Sequence, residues 1–249
     1  MISGVVTARS PIWAICKICG RVRLLGKPTK RSDRDKGWYK RPLDRRVDTR
    51  SPRTRILIVT EGERTEPNYF NAISERLPRG TVEIAIEGCG FNTIGLVKEA
   101  ARLRDLREPL RQFDEVWVVY DKDDFPPEHF NDASQLSDRL GLKAAWSNEA
   151  FELWYVLHFQ DLKSGLPRDD YSKMLKKHLG EPYVKNAVDM FLKLEGLGSL
   201  EDACRRGKHL AELSKNETPA HSNPCTMVFK LVERLLEFQE VDRTCPPPK

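Results

Sequence analysis

At 249 residues, with 39% hydrophobic and 32% charged side chains, the chain is long enough to bury a substantial core as one large domain, or as one domain with an appendage. No apolar run approaches the roughly 18 residues that a membrane-spanning helix needs. Met1 to Ala14 lack the sustained hydrophobic region of a secretory signal, so the cytoplasm is the expected compartment and no membrane partner is expected.

The net charge of +5 hides an asymmetry: residues 1–55 carry 16 Lys or Arg against 4 Asp, a net +12, and the remainder is net −7. Residues 1–54 combine Pro, Lys, Arg, Asp and Gly with little periodicity and read as a basic, extended or flexible arm. Such arms bind nucleic acid by neutralising phosphates and releasing counterions. A solvated arm with no dedicated partner is an equal alternative. The 6 cysteines are scattered, which argues against a disulfide framework. Cys16 and Cys19 form a lone Cys-x-x-Cys with no further ligand pair nearby, so no zinc site is expected.

From Arg55 onward strands alternate with helices. Arg55–Thr60 reads as a strand, Pro67–Leu77 as a helix, Thr81–Glu87 as a strand and Ile94–Arg107 as a helix. Glu115–Tyr120 follows as a strongly apolar strand, Pro126–Leu140 as a helix and Leu142–Trp146 as a fourth strand. This alternation implies βαβ units and a mainly parallel four-stranded sheet, whose buried strands are near-continuous apolar runs. Residues 55–147 form this α/β core in the sequence reading, and residues 148–239 a helical region packed on it. Its helices are expected at Glu149–Phe159, Asp169–Leu179, Val184–Leu194, Leu200–Ser214 and Pro224–Phe238. Ser147-Asn148 is the expected cap of the first, and Asn223 before Pro224 the cap of the last. Residues 240–249 read as a loose tail.

The first strand stops at Thr60-Glu61-Gly62-Glu63, with Glu66 three residues further on, and the third stops at Asp121-Lys122-Asp123-Asp124. In open α/β sheets, ligands bind outside the carboxyl ends of the strands. If the two strands are neighbours, both acidic clusters emerge at one edge, and Asp121 and Asp123, two apart in extended chain, point the same way. Carboxylates crowded together repel unless a cation sits among them, and oxygen-only ligation suits one or two Mg²⁺ or Mn²⁺ ions. Acids after strands also serve as caps and solvated turns, which is the plainer reading. Glu152 and His158 fall in an otherwise apolar stretch. Glu149 and Glu152, three apart, either share a face toward the acids or leave Glu152 neutralised in the core with His158. His221 and Asn223 stand either in a cap or along the site.

Four stretches, ILIVTEGERTEPNYF, VWVVYDKDDF, SNEAFELWYVLHF and SNPCTMVFKLVERL, resemble the signature segments of the RloB-like family over roughly Arg55 to Phe238. The family is similar to Toprim-containing proteins, including the nucleases of the overcoming-lysogenization-defect type. The resemblance implies a Toprim-like Rossmannoid fold in which Glu61 matches the Toprim glutamate, Asp121 and Asp123 the aspartate pair, and Glu66 the second acid of those nucleases. Gly62, Asp124, Asn148, Glu152, His158 and Asn223 are the accompanying candidates for lining the site. The chain departs from the family habit at Asn148-Glu149, where Asn-Pro is more usual.

What the resemblance implies is a Mg²⁺-dependent nuclease, the effector of a prokaryotic antiphage or abortive-infection system. Glu61, Asp121 and Asp123 would ligate the metal, and Glu61 or Glu66 would serve as general base or acid. The chain carries no Gly-x-x-x-x-Gly-Lys-Ser/Thr loop, so an accompanying ATPase would be a separate protein. The alternative is a non-catalytic regulatory subunit binding a nucleotide or nucleic acid. Covalent chemistry through Tyr69 or Tyr120 is a weaker third. DNA against RNA, and self-association, stay open.

Overall fold

The structure is a computed structural model that describes residues 53–78, 80–106 and 112–244, with the side chains of 240–244 left aside. Nearly all of the basic arm, Cys16 and Cys19, and residues 245–249 lie outside the described residues.

The first half alternates as its sequence pattern predicts: β1 Thr54–Thr60, α1 Thr65–Ser74, β2 Val82–Gly88, α2 Thr93–Asp105, β3 Glu115–Asp121, α3 Pro127–Arg139 and β4 Lys143–Asn148. The second half is α4 Glu152–Leu157, α5 Arg168–Leu179, α6 Met190–Leu197, α7 Leu200–Leu213, β5 Cys225–Thr226 and α8 Val228–Thr244. The five-stranded sheet has the order β2-β1-β3-β4-β5, parallel throughout except for the last, antiparallel pair. The chain winds outward from β1 to β2, then crosses back to β3 and β4, so the strand order reverses between β1 and β3. That reversal opens the crevice in which doubly wound sheets bind ligands.

Both sheet faces are covered, which is why β1 and β3 are apolar without interruption. Ile56, Ile58, Trp117 and Val119 point into a core shared with α1 and with α4 to α8, while Leu57, Val59, Val116, Val118 and Tyr120 face α2 and α3. Helix α4 lies at the centre of the larger core: Leu153, Trp154, Val156 and Leu157 are fully buried, as an all-round apolar helix must be.

Four expectations are corrected. The sheet has a fifth strand, because Cys225 and Thr226 pair with Asn148 and Ser147 and the Ser147 and Thr226 hydroxyls bond at 2.9 Å. Two residues are too few to show a strand period. Ser147-Asn148 therefore closes β4 rather than capping a helix, and α4 begins at Glu152 with no side-chain cap. Asn223-Pro224 likewise leads into β5, and α8 starts only at Val228, whose N–H donates to Thr226 Oγ1 at 3.2 Å. The helix expected at Val184–Leu194 starts at Met190, since Asn186 adopts a left-handed backbone with φ 68° and accepts from Thr65 Oγ1 at 2.7 Å. The peptides Asn148–Glu149 and Asn223–Pro224 are cis.

Candidate carboxylate site

Parallel pairing of β1 with β3, with Thr60 opposite Val119, carries both acidic clusters to the same sheet edge. The Glu61 N–H donates to Val119 O at 2.9 Å, continuing the ladder one step beyond β1. The Asp121 N–H in turn donates to Glu61 Oε2 at 3.3 Å, so the first strand's glutamate lies directly over the end of the third strand. Asp121 Oδ2 accepts from the Phe151 N–H at 3.0 Å, ahead of α4, while its Oδ1 is enclosed without a partner.

Two further acids join from helices. Glu66 sits in the first turn of α1, 6% exposed, with Oε2 enclosed and unpartnered. Gly62 makes room for it, since a Cβ there would fall 2.0 Å from that oxygen. Glu152 opens α4, 4% exposed, and its Oε1 accepts from the Tyr183 hydroxyl at 3.0 Å.

Burial and mutual repulsion dominate the electrostatics. Burial pushes Glu61 up to about 7 against the opposing bond from the Asp121 N–H, with Glu66 raising it and Arg168 lowering it. Burial also raises Glu66, and Glu152 adds to the rise, while Lys185 and Arg168 pull it down. Asp121 is driven well above the usual carboxylate range, first by burial and then by Glu66 and Glu152. Glu61, Glu66, Asp121 and Glu152 thus form one repelling group.

Asp123 stands apart from it. Its backbone is left-handed with φ 45°, its N–H donates to Glu149 O at 3.1 Å, and its carboxylate is ion-paired with Arg168 at the start of α5. The cleft, about 430 Å³, is lined by Glu61, Glu66, Asp121 and Asp123 together with Arg168 and Lys185. The donor chemistry fits a hard divalent cation: Glu61, Glu66, Asp121 and Asp123 all line the cleft, and Glu66 Oε2 and Asp121 Oδ1 are buried without a partner. Among the described residues, no three His, Cys, Asp or Glu side chains already stand at metal-holding geometry.

The remaining candidates are not among the residues that line the cleft. Asp124 is exposed beside the cleft. Asn148 is buried behind it, its Nδ2 donating to Pro219 O and Ala220 O at 3.1 Å each and so fastening the segment before β5. His158 belongs to the aromatic core, its Nδ1 bonded to Trp154 O at 3.0 Å and its Nε2 3.4 Å from the Tyr69 hydroxyl. Glu149 precedes α4, so it shares no helix face with Glu152, and it accepts from Asn223 Nδ2 at 3.4 Å. His221 bonds Thr218 in the turn before β5. Sequence reasoning missed Arg168, Tyr183 and Lys185. They arrive from α5 and the α5–α6 loop, and nothing in their spacing ties them to the acids.

The fold and cleft define a class: a doubly wound α/β protein that gathers carboxylates at its switch point among the cationic side chains of Arg64, Arg168 and Lys185. The chain belongs to the RloB-like protein family, whose family model matches residues 56–235. Among curated proteins and solved structures there is no significant match.

Proposed function

We propose that this protein is a divalent-cation-dependent nuclease of the Toprim type, cleaving phosphodiester bonds of DNA or RNA as the effector of a prokaryotic antiphage or abortive-infection system. The observation that carries the chemistry is the pair of buried, unpartnered carboxylate oxygens, Asp121 Oδ1 and Glu66 Oε2, in a cleft flanked by Arg168 and Lys185. Repelling acids need a cation, and a cationic rim attracts an anion, so the same cleft suits a metal and a phosphate. The defence setting rests on membership of the RloB-like family.

Asp121, Glu61 and Glu66 are the residues that would hold Mg²⁺ or Mn²⁺, with Asp123 joining once freed from Arg168. Such an ion, when bound, polarises the phosphate and eases deprotonation of water. Arg168 and Lys185 orient the phosphate, Glu61 and Glu66 take and return protons, and Tyr183 fixes Glu152 behind them. The basic arm gathers the polyanionic substrate, and an ATPase partner would be a separate chain. The test is cleavage of DNA and of tRNA with Mg²⁺ or Mn²⁺ by wild type, Glu61→Gln and Asp121→Asn. Activity that survives both substitutions sinks the reading.

The Arg168–Asp123 ion pair favours a second reading, because it occupies a carboxylate assigned to the metal. In that case the protein is a non-catalytic subunit that binds nucleic acid or a nucleotide. It would show no cleavage, and an affinity unchanged by chelation.

A further inference from the structure

A second pocket, about 320 Å³, opens at the N-terminus of α2. Asn92 caps this helix, its side chain accepting from the Gly95 N–H at 2.9 Å and its carbonyl from the Leu96 N–H at 2.8 Å. The first-turn N–H groups of Thr93 and Ile94 have no acceptor within the helix, so they present a partial positive charge to the pocket.

The walls point to the same ligand. Thr93, only 2% exposed, forms part of the pocket, and its Oγ1 is buried with no hydrogen-bond partner. A threonine hydroxyl that is sealed from water and unpaired in a native fold calls for an acceptor from elsewhere. Lys98, one turn along α2 and exposed, lines the pocket and makes no ion pair among the described residues; His129 faces it from α3. No carboxylate is among the lining residues, and Phe125 supplies an apolar wall beside the Lys98 ammonium. Gly95 keeps the cap in place, since a Cβ there would press to 2.8 Å on Asn92 Oδ1.

We propose that this pocket binds a phosphate group, held by the first-turn N–H groups of α2, the Thr93 hydroxyl and the Lys98 ammonium, with Phe125 against the sugar or base. It is separate from the carboxylate cleft but shares the β2–α2 loop with it: Gly90 borders the cleft, and Asn92, two residues on, borders the pocket. Two residues of chain span at most ~7 Å, so one strand of nucleic acid can reach both.

The test is calorimetric titration of the full-length protein in EDTA with inorganic phosphate, thymidine 5′-monophosphate, the dinucleotide TpT, and thymidine as the phosphate-free control. Because no metal and no cleavage are involved, the outcome does not depend on the nuclease reading. The three phosphate ligands are expected to bind and thymidine not to, with Thr93→Val and Lys98→Ala each weakening binding about tenfold. Thr93→Val also leaves the unfolding temperature undiminished, since it removes an unpaired hydroxyl at constant shape. If Thr93→Val does not fold, Lys98→Ala, on an exposed side chain, decides alone. Tighter binding of TpT assigns the site to a nucleic-acid backbone, and tighter binding of the monophosphate to a free nucleotide; either supports a phosphate site. Absence of binding by all three phosphate ligands overturns it, as does binding unchanged in both variants.

Discussion

The Arg168 guanidinium closes an ion pair with the Asp123 carboxylate across the mouth of the carboxylate cleft, joining the start of α5 to the loop after β3. Both side chains keep over a third of their surface or close to it, at 43% and 34%, so the pair contributes little to folding. Its significance is positional. It sets a rim cation against a strand-end aspartate that lies outside the repelling group.

Arg168→Gln is therefore expected to change unfolding free energy by less than about 1 kcal/mol. The same variant should lower the slope of log affinity for nucleic acid against log salt by about 1, as loss of one phosphate contact does. Arg168→Lys should restore the slope without restoring full affinity, because an ammonium lacks the planar fork. An unchanged slope in Arg168→Gln would place the residue outside the substrate path.

Neutralising Asp121 should separate stability from activity. In Asp121→Asn the amide oxygen can still accept the Phe151 N–H, while the amide nitrogen replaces the enclosed Oδ1 and faces Glu66 and Glu152 with hydrogens instead of charge. The metal-free variant is expected to gain about 1–2 kcal/mol, a rise of roughly 2–6 °C in Tm, and the proposed metal site predicts that Mg²⁺ raises the Tm of the wild type but not of the variant. Thermal scans with and without Mg²⁺ check both. A lower Tm without metal would refute the repelling group.

Gly62 can be tested by a single methyl. A Cβ lands 2.0 Å from Glu66 Oε2, so Gly62→Ala must expel that carboxylate from the cleft while the strand below keeps its pairing. Displacement by about 1 Å in a reacting constellation reduces rate by roughly 100-fold. Far-ultraviolet circular dichroism should stay at wild-type values while cleavage falls by that order. Wild-type cleavage in Gly62→Ala would remove Glu66 from the site.

His158 predicts a pH dependence. Burial, the largest cause, holds the imidazole down to about 4 despite the carbonyl bonds that favour its charged form. Above about pH 6.5 the ring is neutral in both folded and unfolded chains and contributes no slope. Between about 6.5 and 4 the unfolded chain takes up a proton that the folded one refuses, so stability falls as pH falls, by about 3 kcal/mol at the lower end. Denaturant melts of wild type and His158→Gln across this window should converge toward low pH by that amount. Parallel curves would place the titration elsewhere.

Much of the fold was legible because its signals are local. Ile56 to Val59 and Val116 to Tyr120 are unbroken apolar runs, since both sheet faces are buried. The abrupt acids after each run marked Glu61 and Asp121 correctly as strand-end residues. The α4 segment was recognisable as buried from its composition. Less legible were the two-residue β5, held by partners about 80 positions away, and the loop at Asn186, whose left-handed turn is anchored by Thr65.

The sequence alone determined the alternation of strands and helices and the presence of two acidic strand ends, because hydrophobic period and chain termination are read within a few residues. Only the tertiary structure decided which acids share a volume. Parallel pairing of β1 with β3 laid Glu61 over Asp121, α1 and α4 brought Glu66 and Glu152 to them, and α5 supplied the cation that draws Asp123 aside. Electrostatic coupling depends on distance in space and on burial, and neither is encoded in spacing along the chain.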